Sequence, residues 1–133
     1  FDIASNGGIT YYLHCLLARI EKAKKEGIIV ETRAFAHAYS CGSMLACSGT
    51  KGYRFISEST EHLCHLGSAG LNAKNDKELE RGSERVKSHF NFVRLQYKKY
   101  ANIPNLNQVI KDDSLFVRGK KIIDWGLADK FYY

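Results

Sequence analysis

Between Ile28 and His65 the chain alternates repeatedly between strand-like and helix-like stretches, and that alternation restricts its fold more than any other feature. The β-branched run Ile28-Ile29-Val30-Glu31-Thr32 predicts a strand. It feeds a stretch of small residues around Ala38 to Ser43, then a short apolar helix predicted over Ser43–Ser48. A turn at Lys51-Gly52 precedes strand-like Tyr53–Ile56, and a second strand-like stretch, Glu61–His65, comes next. Strand–helix–strand alternation implies α/β architecture, with right-handed crossover units stacked on a mostly parallel sheet. At 133 residues the chain is expected to form one domain, and no repeat, linker or low-complexity segment divides it.

Two longer helices frame this centre. After Gly7-Gly8, residues Ile9, Leu13, Leu16, Leu17 and Ile20 recur at helical spacing. Gly27 suits the position just past that helix, with lysines in its last turn. A second helix is predicted from about Asn75 to Tyr100. Asn75 and Glu78 resemble a capping pair, and Leu79, Val86, Phe90, Val93, Tyr97 and Tyr100 form one stripe. Such a stripe serves either a partner chain or the protein's own core. Pro104 breaks this helix and a short one is predicted from Leu106 to Ile110.

Composition narrows the function classes. Hydrophobic residues make up 44% of the chain, ordinary for a globular protein, and no apolar run is long enough to span a bilayer. Cys15, Cys41, Cys47 and Cys64 lie in apolar stretches without CxxC spacing. This argues against a zinc site or a disulfide scaffold and fits thiols in a reducing cytoplasm. The net charge of +6 sits largely on helix surfaces, with no base-reading motif or aromatic stacking platform beside it. Nucleic acid and membrane are therefore not expected partners, and no cofactor or metal is called for.

A serine hydroxyl becomes a nucleophile when a base takes its proton and a dipole cage receives the oxyanion. Ser40 follows a predicted strand and opens a predicted helix, where loops and amides converge in parallel α/β folds. The amides of Cys41 and of Gly8 are candidate oxyanion donors. Locally, a serine in such a turn is usually just a helix cap, and Gly-Gly usually only a turn. Of five histidines, His14 and His89 fall inside helices as surface or packing residues. His37 lies close enough to Ser40 to share a cleft, and His62 should face away from His65 on a common strand. Spacing alone does not choose among them.

The motifs choose. Ile3-Ala4-Ser5-Asn6-Gly7-Gly8 is similar to the Ile-Asn-Ser-Pro-Gly-Gly turn of the ClpP-type serine peptidases, within the ClpP/crotonase fold. Ala38 through Phe55 resembles, without a gap, that family's Ala-Ala-Ser-Met-Gly-Ala to Lys-Gly-x-Arg-Phe segment. Gly126-Leu127-Ala128-Asp129 resembles its terminal Gly-Leu-Val-Asp. The resemblance implies Ser40 as nucleophile, His65 as base, and the amides of Gly8 and Cys41 as the oxyanion hole. The triad aspartate falls in an Asp-x-aromatic-Leu/Phe-Ser/Thr segment. One inserted residue at Gly119-Lys120 brings Asp113 into register, with Asp112 in reserve.

The resemblance also implies an assembly. The helix around residues 76–100 would interdigitate between stacked homo-oligomeric rings, enclosing a chamber for unfolded polypeptides. Leu66–Gly70 would receive an extended substrate by strand addition. An AAA+ unfoldase is the implied partner. Departures from the pattern include Cys41 for methionine, the missing proline two residues after His65, and the absence of the family's first strands and helix before Gly7-Gly8. They fit a divergent, phage-type member whose fold is truncated or completed by another polypeptide. An inactive ring or scaffold subunit is the alternative. Crotonase-like acyl-CoA chemistry, which needs catalytic carboxylates at the cleft, fits the Ser40–His65 spacing less well.

Overall fold

A computed structural model describes residues 1–68, 70–107 and 115–132. The chain order is β1 (Asp2–Ser5), α1 (Thr10–Lys25), β2 (Thr32–Tyr39), α2 (Cys41–Cys47), β3 (Arg54–Ile56) and β4 (Glu61–Cys64). Then come α3 (Asp76–Tyr100), β5 (Leu115–Arg118), α4 (Lys120–Asp124) and β6 (Lys130–Phe131). The sheet runs β5-β4-β2-β3-β6, with β1 also on β2. Every pairing is parallel except β4 with β5. This is the α/β crossover architecture that the alternation in the sequence implies.

One strand lies elsewhere than its β-branched residues suggest. Residues 28–31 of that run are not a strand, and β2 begins only at Thr32. The exit from α1 explains the displacement. Gly27 takes φ +78°, its amide donates to Lys24 and the amide of Ile28 donates to Ala23, the two bonds of a Schellman motif. Ile28 and Ile29 are left exposed. The true strand is alanine-rich because Ala34 and Ala38 are fully buried, and side chains of that size keep the layers close.

Strand β2 is the hub. Its Thr32–Ala34 half pairs with β3 and its His37–Tyr39 half pairs with β4. The handover falls at Ala36, whose φ of +64° marks a bulge, and the register against β1 shifts at the same level. Thr60 closes the gap: its hydroxyl donates to the Ala34 carbonyl at 2.8 Å and accepts the Ser57 amide at 2.9 Å.

Around the hub, Ile3, Leu17, Met44, Ile56, Val117 and Leu127 belong to one buried cluster. Helix α3 starts as its cap predicts, with the Glu78 amide donating to the Asn75 side chain at 2.9 Å. Of its apolar stripe only Val93 and Tyr97, toward the C-terminal end, are buried, while Leu79 stays exposed. The N-terminal part of α3 contributes nothing to the buried core. The short helix predicted from Leu106 falls mostly outside the described residues.

The side chain of Arg54, 5% exposed, fastens the ends of these elements together. Its guanidinium pairs with Asp129 through two hydrogen bonds (3.0 and 2.6 Å) and also donates to the carbonyls of Cys47, Tyr100 and Gly126. Asp129 in turn accepts the amides of Gly52 and Arg54. Burial alone would raise the Asp129 pKa; the Arg54 pair and these amides outweigh it and hold the carboxyl below its ordinary range.

Removing one partner of a buried ion pair strands the other, so Asp129→Ala should cost about 3–5 kcal/mol in urea unfolding. The stability that Asp129 contributes should be complete above about pH 4 and decline as pH falls through its lowered folded pKa. Ala36→Gly should raise the unfolding free energy by up to about 1 kcal/mol, and the urea midpoint with it, because glycine adopts this φ without strain. Ala36→Val should lower it, and equal midpoints for the two variants would refute the bulge.

Candidate functional site

Ser40 and His65 meet because β2 and β4 are parallel neighbours ending at the same edge of the sheet. Tyr39 pairs with Leu63, and the Ser40 amide continues the ladder to the Leu63 carbonyl at 2.9 Å. Each residue therefore sits one step beyond its strand. Both line one small cavity of about 20 Å³, the space of a single water, together with Thr10, Cys41, Leu66 and Gly67.

The backbone at Ser40 is sharply bent, with φ +55° and ψ −119°, between the end of β2 and the first turn of α2. This is not an ordinary helix cap, since its side chain makes no capping hydrogen bond. The elbow joins the two ladders: the Ser40 amide ends that of the strand, and its carbonyl, which accepts the Met44 amide, opens that of the helix. The cost is about 1–3 kcal/mol in backbone strain.

Glycines allow the β1–α1 loop to close against this elbow. A Cβ on Gly7, which has φ +104°, would stand 2.8 Å from the Ser40 Cβ, and one on Gly42 would stand 2.9 Å from the Ser5 Cβ. Ser5 accepts the Gly7 amide at 3.1 Å, and the Cys41 thiol donates to the Gly8 carbonyl at 3.2 Å. Among the described residues, the amides of Gly8 and Cys41 have no hydrogen-bond partner. A developing oxyanion needs free donors of this kind.

The Nε2 atom of His65 is buried and has no partner among the described residues. His65 is thus placed beside Ser40 with a ring nitrogen uncommitted. Leu115, the first described residue of β5, pairs with Cys64 next to His65. Asp113 and Asp112, the two candidate acids, lie outside the described residues.

The remaining histidines separate by environment. His62 faces the interior, fully buried, with Nδ1 3.0 Å from the Ser43 hydroxyl. Burial lowers its pKa to about 4, so it is a neutral structural imidazole. His37 packs against the Tyr39 ring and does not line the cavity with Ser40. Sequence alone does not reveal the Ser43–His62 pair, whose hydrogen bond crosses from α2 to β4. All four cysteines are free, and burial pushes the Cys64 thiol up to about 11.

A separate 350 Å³ cleft at the far end of α2 is lined by Lys24, Lys51, Arg54 and Lys99. Its cations are largely engaged: Lys24 and Lys99 pair with Glu21, and Lys24 also donates to the Ser48 carbonyl. Burial opposes ionisation of Glu21, but Lys99, Lys24 and the Tyr100 hydroxyl bring its pKa down to about 2. No helix among the described residues is long and apolar enough to cross a membrane.

The family model for Clp protease matches residues 2–132, nearly the whole chain. The protein belongs to the Clp protease family, and its curled α/β sheet is the fold that membership implies. No curated protein matches the sequence.

Because His62 is neutral when folded and takes up a proton near pH 6.5 when unfolded, the unfolded state binds more protons between those values. Its contribution should be complete above about pH 6.5 and lost progressively as pH falls towards 4, by about 3 kcal/mol in all. Urea midpoints measured across that window should flatten in His62→Gln. An unchanged slope in the variant would assign the acid sensitivity to other groups.

Proposed function

We propose that the protein is a serine endopeptidase acting on unfolded polypeptides. Ser40 attacks the peptide carbonyl, His65 takes the hydroxyl proton and returns it to the leaving amine, and Asp113 orients the imidazole. The amides of Gly8 and Cys41 hold the tetrahedral oxyanion. The observation that carries this reading is the shared Ser40–His65 cavity, with Ser40 on a bent elbow and Nε2 of His65 uncommitted.

The register of β5 supports Asp113. Leu115 pairs with the residue preceding His65, and Asp113 is two residues earlier in sequence. Leu66 and Gly67, on the segment that would receive an extended substrate, line the cavity with Ser40. Assembly into rings through α3 is part of the proposal. It is supported by the helix's N-terminal part, where the apolar Leu79 is 48% exposed. A closed ring chamber admits unfolded chains and short peptides, and a AAA+ unfoldase would supply the former.

A fluorophosphonate probe tests the mechanism, because its phosphorus accepts only an activated serine. Labelling should fall on Ser40, vanish in Ser40→Ala and weaken strongly in His65→Ala. Peptide hydrolysis should fall by at least about 10⁴-fold in either variant. An assembled protein that neither labels nor hydrolyses peptides would instead be an inactive ring subunit.

A further inference from the structure

Helix α3 runs for 25 residues, yet its buried side chains are Val93 and Tyr97 alone. They stand four positions apart on one face of the helix, and both line the small cavity shared by Ser40 and His65. The helix therefore meets the core at the catalytic edge of the sheet. Tyr97 makes the larger contact: 1% exposed, it is the largest fully buried side chain among the described residues.

Its far end reaches past the cavity. The Tyr97 hydroxyl lies beside the Ser43 hydroxyl and the Cys64 thiol, without completing a hydrogen bond to either. Those two groups are themselves 3.5 Å apart, and the Ser43 hydroxyl also meets Nδ1 of His62 at 3.0 Å, so α2 and β4 are joined at this point. Ser43 comes three residues after Ser40, nearly one turn along α2, and Cys64 directly precedes His65. The ring of Tyr97 thus spans from the junction of the elements that carry nucleophile and base to the cavity between those two residues.

Proton transfer needs the Ser40 hydroxyl and the His65 imidazole at hydrogen-bonding distance, and a misplacement of about 1 Å can cost about 100-fold in rate. Ser40 makes no capping hydrogen bond and Nε2 of His65 is uncommitted among the described residues, so packing must hold their orientation. A cavity of about 20 Å³ leaves room for one water and little else, and Tyr97 is the bulkiest side chain closing it. We propose that Tyr97 is a positioning residue for this pair, its ring holding α2 and β4 so that Ser40 and His65 stay at reacting distance. The role falls to the ring, because the hydroxyl has no bond to lose. This inference rests on the peptidase reading of Ser40 and His65.

The test uses the full chain in its purified assembly, a fluorogenic peptide and fluorophosphonate labelling of Ser40. Tyr97→Leu should lower kcat by about tenfold or more and slow labelling in parallel, with KM within about twofold of the parent. Tyr97→Phe keeps the ring and should keep kcat within about twofold, at a urea midpoint no lower than the parent's. Leu127→Ala controls for general loosening, since Leu127 is fully buried but does not line the cavity. It should lower the urea midpoint while kcat is kept. Should Tyr97→Leu fail to assemble, Val93→Ala trims the same wall and should lower kcat about threefold at unchanged KM. The positioning role is overturned, and the peptidase stands, if the variant that assembles loses no more kcat than Leu127→Ala, or loses KM instead. The same holds if Tyr97→Phe loses as much kcat as Tyr97→Leu. A parent protein that neither labels nor cuts peptide removes both readings.

Discussion

One side chain, Arg54, ties the ends of three helices to the segment that leads into the last strand. Helix C-termini leave carbonyls without partners and carry partial negative charge, so bringing several together needs a buried cation. Arg54 supplies it from β3, donating to the carbonyl of Cys47 at the end of α2, Tyr100 at the end of α3 and Gly126 after α4. A planar guanidinium with five donors can serve several acceptors at once, whereas a lysine could not reach the same set. Asp129 balances the charge and ties the final segment, leading into β6, to the Gly52 turn.

The same polarity organises the site at the other end of α2. The helix is anchored by its last residues, which fixes where its first residues lie. At that first turn the amides are free, and a bent serine, the Gly7-Gly8 loop and the end of β4 converge on it. Cations therefore gather at one end of α2 and uncommitted N–H donors at the other. The basic cleft around Lys24 and Lys99 is thereby accounted for without a ligand: its charges answer Glu21 and the converging carbonyls.

What can be read from the sequence is local or carried by motif. The crossover alternation, the Asn75 cap and the Gly27 helix exit are visible there because neighbours in the chain determine them, whereas the pairing of Ser40 with His65 rests on the motifs. The strand at Thr32–Tyr39 is not, because alanine is a poor strand former and these alanines answer to packing against α2 and β1. The Arg54–Asp129 pair spans 75 residues and follows no period, so no pattern announces it. Asp129 stands out as part of a motif, but its role becomes visible only with the guanidinium beside it. The Ser43–His62 bond has the same character, linking a helix to a strand through two residues whose types alone suggest chemistry of another kind.

His62 and His65 show how environment sorts identical side chains. They are three apart on and just past one strand, so they point to opposite sides. One is sealed in the interior against Ser43, where desolvation keeps it neutral, and contributes to stability above its unfolded pKa. The other lies at the strand's end, where the ladder stops and a ring nitrogen is left uncommitted beside Ser40. A proton shuttle needs that freedom, because a nitrogen already committed to a structural hydrogen bond must break it before accepting a proton. The edge of a parallel sheet supplies this condition to the residues at which the ladder ends, and in this chain Ser40 and His65 each lie one residue past the end of neighbouring strands.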